Sequence, residues 1–132
     1  MAIIIGMFLA LAVGIFATLT GIDRDRSFYP VVTIVIATYY VLFAIMAAHN
    51  ASLVAEILVF SVFLAAAVAG FRWSLWVIVA ALFGHGVFDF THSFFISNPG
   101  VPDWWPGFCL TYDISAAIYL AWLIKSGHIR SA

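Results

Sequence analysis

Apolar residues run almost unbroken through five stretches of this chain, about 2–20, 31–49, 52–70, 74–96 and 108–125, and polar residues gather in the short segments between them. A helix rising about 1.5 Å per residue needs about 20 apolar residues to cross the hydrocarbon layer of a bilayer. Each stretch is near that length, and lipid tolerates only segments whose backbone hydrogen bonds are satisfied internally. The pattern therefore predicts an all-α, polytopic membrane helix bundle, with five transmembrane helices forming a single domain over residues 1–132.

The polar segments punctuate this pattern. No positive charge precedes the first stretch, so it reads as a retained span and not as a secretory signal with a basic start. Gly6, Ala10 and Gly14 form a small-residue stripe along it, on which a helix of this protein or of a partner can pack closely. Gly21 to Pro30 alternates acidic and basic residues and reads as solvated surface, with Pro30 suited to starting the second helix. His49-Asn50-Ala51 is a very short connection, and Asn50 is the expected cap of the third helix. Phe71-Arg72-Trp73 marks a tight turn. Pro99, Gly100, Pro102, Pro106 and Gly107 break the helical pattern between Ser97 and Gly107. Trp104 and Trp105 read as interfacial anchors on one side of the membrane, matched by Trp73, Trp76 and Trp122 towards the other. The alternative for the first pair is a lid with Asp103 at its rim.

Composition agrees with the pattern. The chain is 66% hydrophobic and 8% charged, with a mean hydropathy of +1.16, far from the soluble balance of about half apolar and a quarter charged. The formal net charge of -1, without a basic patch, P-loop or dinucleotide glycine signature, points away from nucleic acid and nucleotides. Membrane lipids are the partners this surface calls for. Cys109 is the single cysteine, which rules out an internal disulfide and any multi-cysteine metal motif. With five spans, Arg24, Arg26, Arg72, Lys125 and Arg130, every lysine and arginine present, fall on one side. By the positive-inside rule that side is cytoplasmic, so the N-terminus faces out and the C-terminus in.

Within the fourth stretch, His85, Asp89 and His92 stand at i, i+4 and i+7, on one stripe of a helix. Counting about 1.5 Å per residue from the outer ends, Glu56, Asp113 and Asp89 lie roughly 7, 8 and 10 Å deep on three different helices. His49 sits at the outer end of the second span, and Cys109 is one turn from Asp113. Ionisable groups are costly in hydrocarbon and turn towards one another, so one polar pocket opening to the outer face is the economical arrangement. Imidazoles with carboxylates are ligands for zinc, iron, copper or manganese. Residues seven apart are separated by about 10 Å along the axis, so His85 and His92 would strain to hold one ion. Either Asp89 bridges two centres, or one histidine binds the ion and the other supports it. The alternative is a metal-free network of His, Asp, Glu and Tyr that fastens the helices together. Haem would need axial histidines on facing helices, and only His49 could partner the span-four pair. Gly84 and Gly86, flanking His85, are expected to let neighbouring helices come close on either side.

The segment Gly84-His85-Gly86-Val87-Phe88-Asp89-Phe90, followed by Trp104-Trp105-Pro106-Gly107-Phe108-Cys109 and Tyr112-Asp113, resembles a pattern in small bacterial membrane proteins. The resemblance covers about the last third of the chain and implies a bacterial inner-membrane location, with no activity attached. His-x-x-x-Asp-x-x-His also faintly resembles the histidine boxes of membrane fatty-acid desaturases and hydroxylases. The chain departs from those in having four histidines in all and an aspartate where they place another. The leading functional expectation is a small metal-dependent membrane enzyme acting on a lipid-like molecule from the outer leaflet. In it His85, Asp89, His92 and His49 are the candidate metal residues, and Glu56 or Asp113 supplies a further ligand or general base. Two alternatives stay open: a proton- or metal-coupled transporter, working as a homo-oligomer because five spans without an inverted repeat leave little scaffold for alternating access, and an accessory subunit of a larger membrane complex.

Overall fold

The computed structural model describes residues 1–132 as five long helices and one short 3₁₀ turn, with no strand. The helices are α1 (Ala2–Thr20), α2 (Phe28–Met46), α3 (Asn50–Arg72), α4 (Leu75–Phe95) and α5 (Trp105–Lys125), and the 3₁₀ turn is Ile22–Arg24. All five are long and apolar enough to cross a membrane. Their outward faces are apolar as well, since Phe8, Phe16, Leu58, Val62, Phe90 and Phe94 stand well exposed. Surface of this kind and extent suits lipid and not water. The chain is a small multi-pass membrane helix bundle.

The helix ends differ from the hydropathy boundaries for local reasons. α2 starts at Phe28, ahead of Pro30, because a proline in the first turn removes an N–H that has no partner within the helix. It ends at Met46, where Ala48 turns into the left-handed region at φ 50°. The Ala48 N–H then reaches Ile45 O at 3.0 Å and the His49 N–H reaches Ala44 O at 3.2 Å, the reversed bonds that close a helix C-terminus. Asn50, expected as the cap of α3, is instead its first residue. The cap is His49, whose Nδ1 accepts the Ser52 N–H at 3.3 Å.

α5 lies between α1 and α4, and α3 between α2 and α4; α2 also meets α4 but makes no close backbone approach to α1 or α5. The small-residue stripe explains the first of these contacts. Gly6, Ala10, Gly14 and Ala17 are the buried face of α1. Gly6 rests on Phe108 O and Thr111 Oγ1 of α5, and Gly14 on the Tyr119 ring. The stripe is thus covered within the chain. Gly86 does the same for α4: a Cβ there would stand 3.2 Å from both Asp113 Cβ and Leu110 O of α5. Gly84 does not share that role, contrary to expectation, because the turn of the helix points it outward with nothing within 4 Å.

Alternation of the helices brings the first polar segment, the α3–α4 turn and the tail to one end. Arg26 ties them together there: its Nε donates to Phe71 O at 2.5 Å, Nη2 to Gly70 O at 3.3 Å and Nη1 to Ser131 O at 3.1 Å. Two of these acceptors are carbonyls at the end of α3 that lack helical partners. The first polar segment is not wholly solvated, as its charge alternation suggested. Asp23 is 2% exposed and accepts a 2.6 Å bond from Thr18 Oγ1, whose oxygen lies 2.9 Å from Tyr119 OH. Above this end the bundle is filled by Ile78, Leu82, Leu120 and Leu123, all fully buried.

Candidate metal centre

The buried acids and histidines of the five long helices all lie in the other half. α4 turns His85, Asp89 and His92 inward together, as their spacing on one helical face requires, and each is at most 2% exposed. Opposite them, α3 contributes Glu56 and α5 contributes Asp113, at 1% and 0% exposure. These five residues do not form one pocket, and they are enclosed, not open to a face.

The deeper group joins α4 to α5. His85 Nδ1 lies 2.7 Å from Asp113 Oδ2 and 3.1 Å from Asp89 Oδ2, and only the first contact is aligned as a hydrogen bond. A single ring proton cannot serve both carboxylates. Asp89 Oδ1 and Oδ2 and Asp113 Oδ1 are left buried without a partner. Each of the three residues offers a ligand atom, and these atoms lie within 4.8 Å of one another, so the group can hold a metal ion. Donors about 2.0–2.1 Å from a tetrahedral ion stand about 3.3 Å apart, near the 3.1 Å between His85 Nδ1 and Asp89 Oδ2, while His85 and Asp113 would have to part from 2.7 Å to admit one.

The shallower group joins α3 to α4. His92 Nε2 lies 2.6 Å from Glu56 Oε1, which also accepts a 2.9 Å bond from Asn98 Nδ2. Asn98 Nδ2 is within 3.1 Å of Tyr40 O as well, and Asn98 Oδ1 accepts the Gly100 N–H at 3.1 Å. Gly100 lies directly on the Phe43 carbonyl, an approach that a side chain would block. The α4–α5 loop thereby closes over this group.

Tyr40 stands between the two groups. Its ring stacks on His92 at 4.1 Å and 14° and lies 6.3 Å from His85, while its hydroxyl is buried without a partner. Phe63 meets the His85 ring edge-on at 4.6 Å, and Phe88 meets His92 at 5.4 Å. The residues named from sequence thus divide: His85, Asp89 and Asp113 come together, Glu56 pairs with His92 nearer the loop, and His49 caps α3 with its Nδ1 2.8 Å from Ser52 Oγ. Tyr40 and Asn98 were missed as site residues. Tyr40 carried only the weak signal of a polar group in an apolar span, and Asn98 lies in a loop where helical spacing says nothing.

The gap between α2 and α5 forms an apolar groove of about 440 Å³ beside the deeper group. Val31, Val35 and Tyr39 line one wall, and Trp105, Cys109 and Tyr112 the other. Trp105 packs against Tyr39 and Phe43 across its loop end, each at 4.9 Å. Trp104 remains 56% exposed, as an interfacial anchor would be. Cys109 and Asp113 are one turn apart on α5 and both are buried, which sets the groove next to the carboxylates. Comparison of the chain with protein-family models, curated proteins and solved structures gave no match.

Proposed function

We propose that this chain is a membrane-embedded metal-dependent enzyme, with the ion held by His85, Asp89 and Asp113 and a lipid-like substrate seated in the groove between α2 and α5. The observation that carries the reading is the set of three carboxylate oxygens, on Asp89 and Asp113, buried without partners beside an imidazole nitrogen. With both aspartates ionised, even a protonated His85 leaves this group one negative charge in excess. No lysine or arginine is near enough to form an ion pair with it. Buried charge of this kind is strongly unfavourable unless a cation balances it. Two carboxylates and one imidazole suit zinc, iron, copper or manganese, and such an ion would polarise an ester or amide carbonyl or activate a water. Within the chain, His85 and the aspartates hold and orient, the apolar groove excludes bulk water, and the Glu56–His92 pair keeps a proton at His92 Nε2. Tyr40 lies between that pair and the ion site.

The transport reading is less well supported, because the acids and histidines buried within the helices all lie in the half of the bundle near the α4–α5 loop. Ile78, Leu82, Leu120 and Leu123 fill the other half, and a proton or ion path through one chain would have to cross them. The one-sided basic residues support an orientation with the Arg26 end in the cytoplasm and the α4–α5 loop outside, and the resemblance to bacterial membrane proteins supports an inner-membrane location. Elemental analysis of the protein purified without chelator tests the central claim. We expect one transition-metal ion per chain, lost in Asp89→Asn with helical content retained. A metal-free wild type that is active in its native membrane would sink the reading.

A further inference from the structure

The end of the bundle held by Arg26 carries a second feature. Four of the chain's five basic residues, Arg24, Arg26, Arg72 and Arg130, line one cleft of about 520 Å³ together with Asp23 and His128. They come from the 3₁₀ turn, the loop after it, the last turn of α3 and the tail. Arg26 is committed to three backbone carbonyls and fixes the walls. The tail wall is further held by the Leu75 N–H bond to Ser131 O at 2.7 Å and by Ile129, which is 7% exposed in the core. Arg24, Arg72 and Arg130 are exposed and none is in an ion pair. The side-chain carboxylate in the cleft, Asp23, is already bonded by Thr18 and lies 3.8 Å from His128 Nε2, and Ala132 at the chain's end also lines the cleft. The cleft therefore holds an excess of cationic side chains on walls that Arg26 ties together.

Guanidinium groups lining one cleft suit a tetrahedral oxyanion, which can accept paired N–H bonds from each. The depth of the cleft narrows the choice. Trp73 and Trp122, 72% and 56% exposed, flank the same end, and exposed tryptophans gather at the level of lipid headgroups. Basic pockets between helices at that level recognise anionic headgroups. We infer that the Arg24–Arg72–Arg130 cleft is a binding site for a phosphate group, presented by an anionic phospholipid headgroup or as free phosphate. It is separate from the His85 site, and the apolar half of the bundle lies between them.

The test uses full-length protein in phosphatidylcholine nanodiscs containing phosphatidylglycerol, with retained lipid read by native mass spectrometry. Inorganic phosphate is titrated in parallel in a zwitterionic detergent, with the melting temperature as readout. Wild type should retain phosphatidylglycerol roughly tenfold or more better than the triple variant Arg24→Gln, Arg72→Gln, Arg130→Gln, as loss of three such charges implies. Lys125→Gln, outside the cleft, should match wild type. Lipid retention without a response to phosphate assigns the headgroup, and the reverse assigns free phosphate; either supports the site. Equal behaviour of wild type and triple variant towards both ligands overturns it, as does an equal loss in Lys125→Gln. If the triple variant does not fold, Arg130→Gln in the tail decides, with a loss of about fivefold expected and no loss overturning the inference.

Discussion

His85 Nδ1 and Asp113 Oδ2 meet at 2.7 Å across the α4–α5 contact, and Gly86 is the reason they can. With no side chain at 86, the backbone of α4 comes close enough to α5 for an imidazole and a short aspartate to touch directly. Replacing Asp113 by leucine removes the carboxylate, adds volume at a close helix contact and leaves His85 facing Asp89 alone. Breaking a buried polar pair from one side costs about 3–5 kcal/mol. We expect Asp113→Leu to lose stability on that scale in detergent unfolding and to lose bound metal. Unchanged stability would show that His85 does not depend on α5.

The two glycines beside His85 should behave oppositely. Gly86→Leu drives a side chain into Asp113 Cβ and Leu110 O, where overpacking costs about 1–3 kcal/mol or more. Gly84→Leu meets nothing within 4 Å, faces lipid, and replaces a poor helix former by a good one. Melting curves should show a clear loss for the first and none for the second. Equal losses would place Gly84 at an interface with a second chain.

Much of this arrangement was legible in the sequence because it is periodic. Five apolar runs of bilayer length give five helices, and i, i+4 spacing gives the shared face of His85 and Asp89. The rise of a helix also argued against His85 and His92 serving one ion, and the structure sends them to different partners. Which acid joins which histidine was not legible. It depends on how α3 and α5 are rotated about their own axes, and for α5 that rotation is fixed by Gly86 of α4 and by Gly6 and Gly14 of α1 packing on it. Depth along the axis alone put Glu56 and Asp113 at one level as equivalents. Asp23 was misread because charge alternation describes a segment on average, while one carboxylate can turn inward to a hydroxyl such as that of Thr18.

The proposed orientation rests on the arginine end. Arg24, Arg26, Arg72 and Arg130 share one cleft, so a single assignment covers the first loop, the α3–α4 turn and the tail. A reporter fused after Ala132 should be active only in the cytoplasm, and one inserted between Ser97 and Gly107 only outside. The opposite labelling would turn the bundle over and expose the Glu56 side of the site to the cytoplasm.

Asn98 is the residue by which the α4–α5 loop closes the site, and its removal should separate closure from metal binding. Its Nδ2 reaches both Glu56 Oε1 at 2.9 Å and Tyr40 O at 3.1 Å, and it also orders Gly100 against α2. Asn98→Leu leaves Glu56 with His92 as its remaining partner, and losing such a bond to a buried group costs about 1–3 kcal/mol. His85, Asp89 and Asp113, the proposed ligands, lie deeper and make no bond to the loop, so the metal content should not change. Hydrogen exchange should quicken in residues 96–101, while Asp103→Asn, an exposed position on the same loop, should leave exchange as in wild type. If Asn98→Leu released the metal, the loop would be part of the ion site and the division into two buried groups would have to be abandoned.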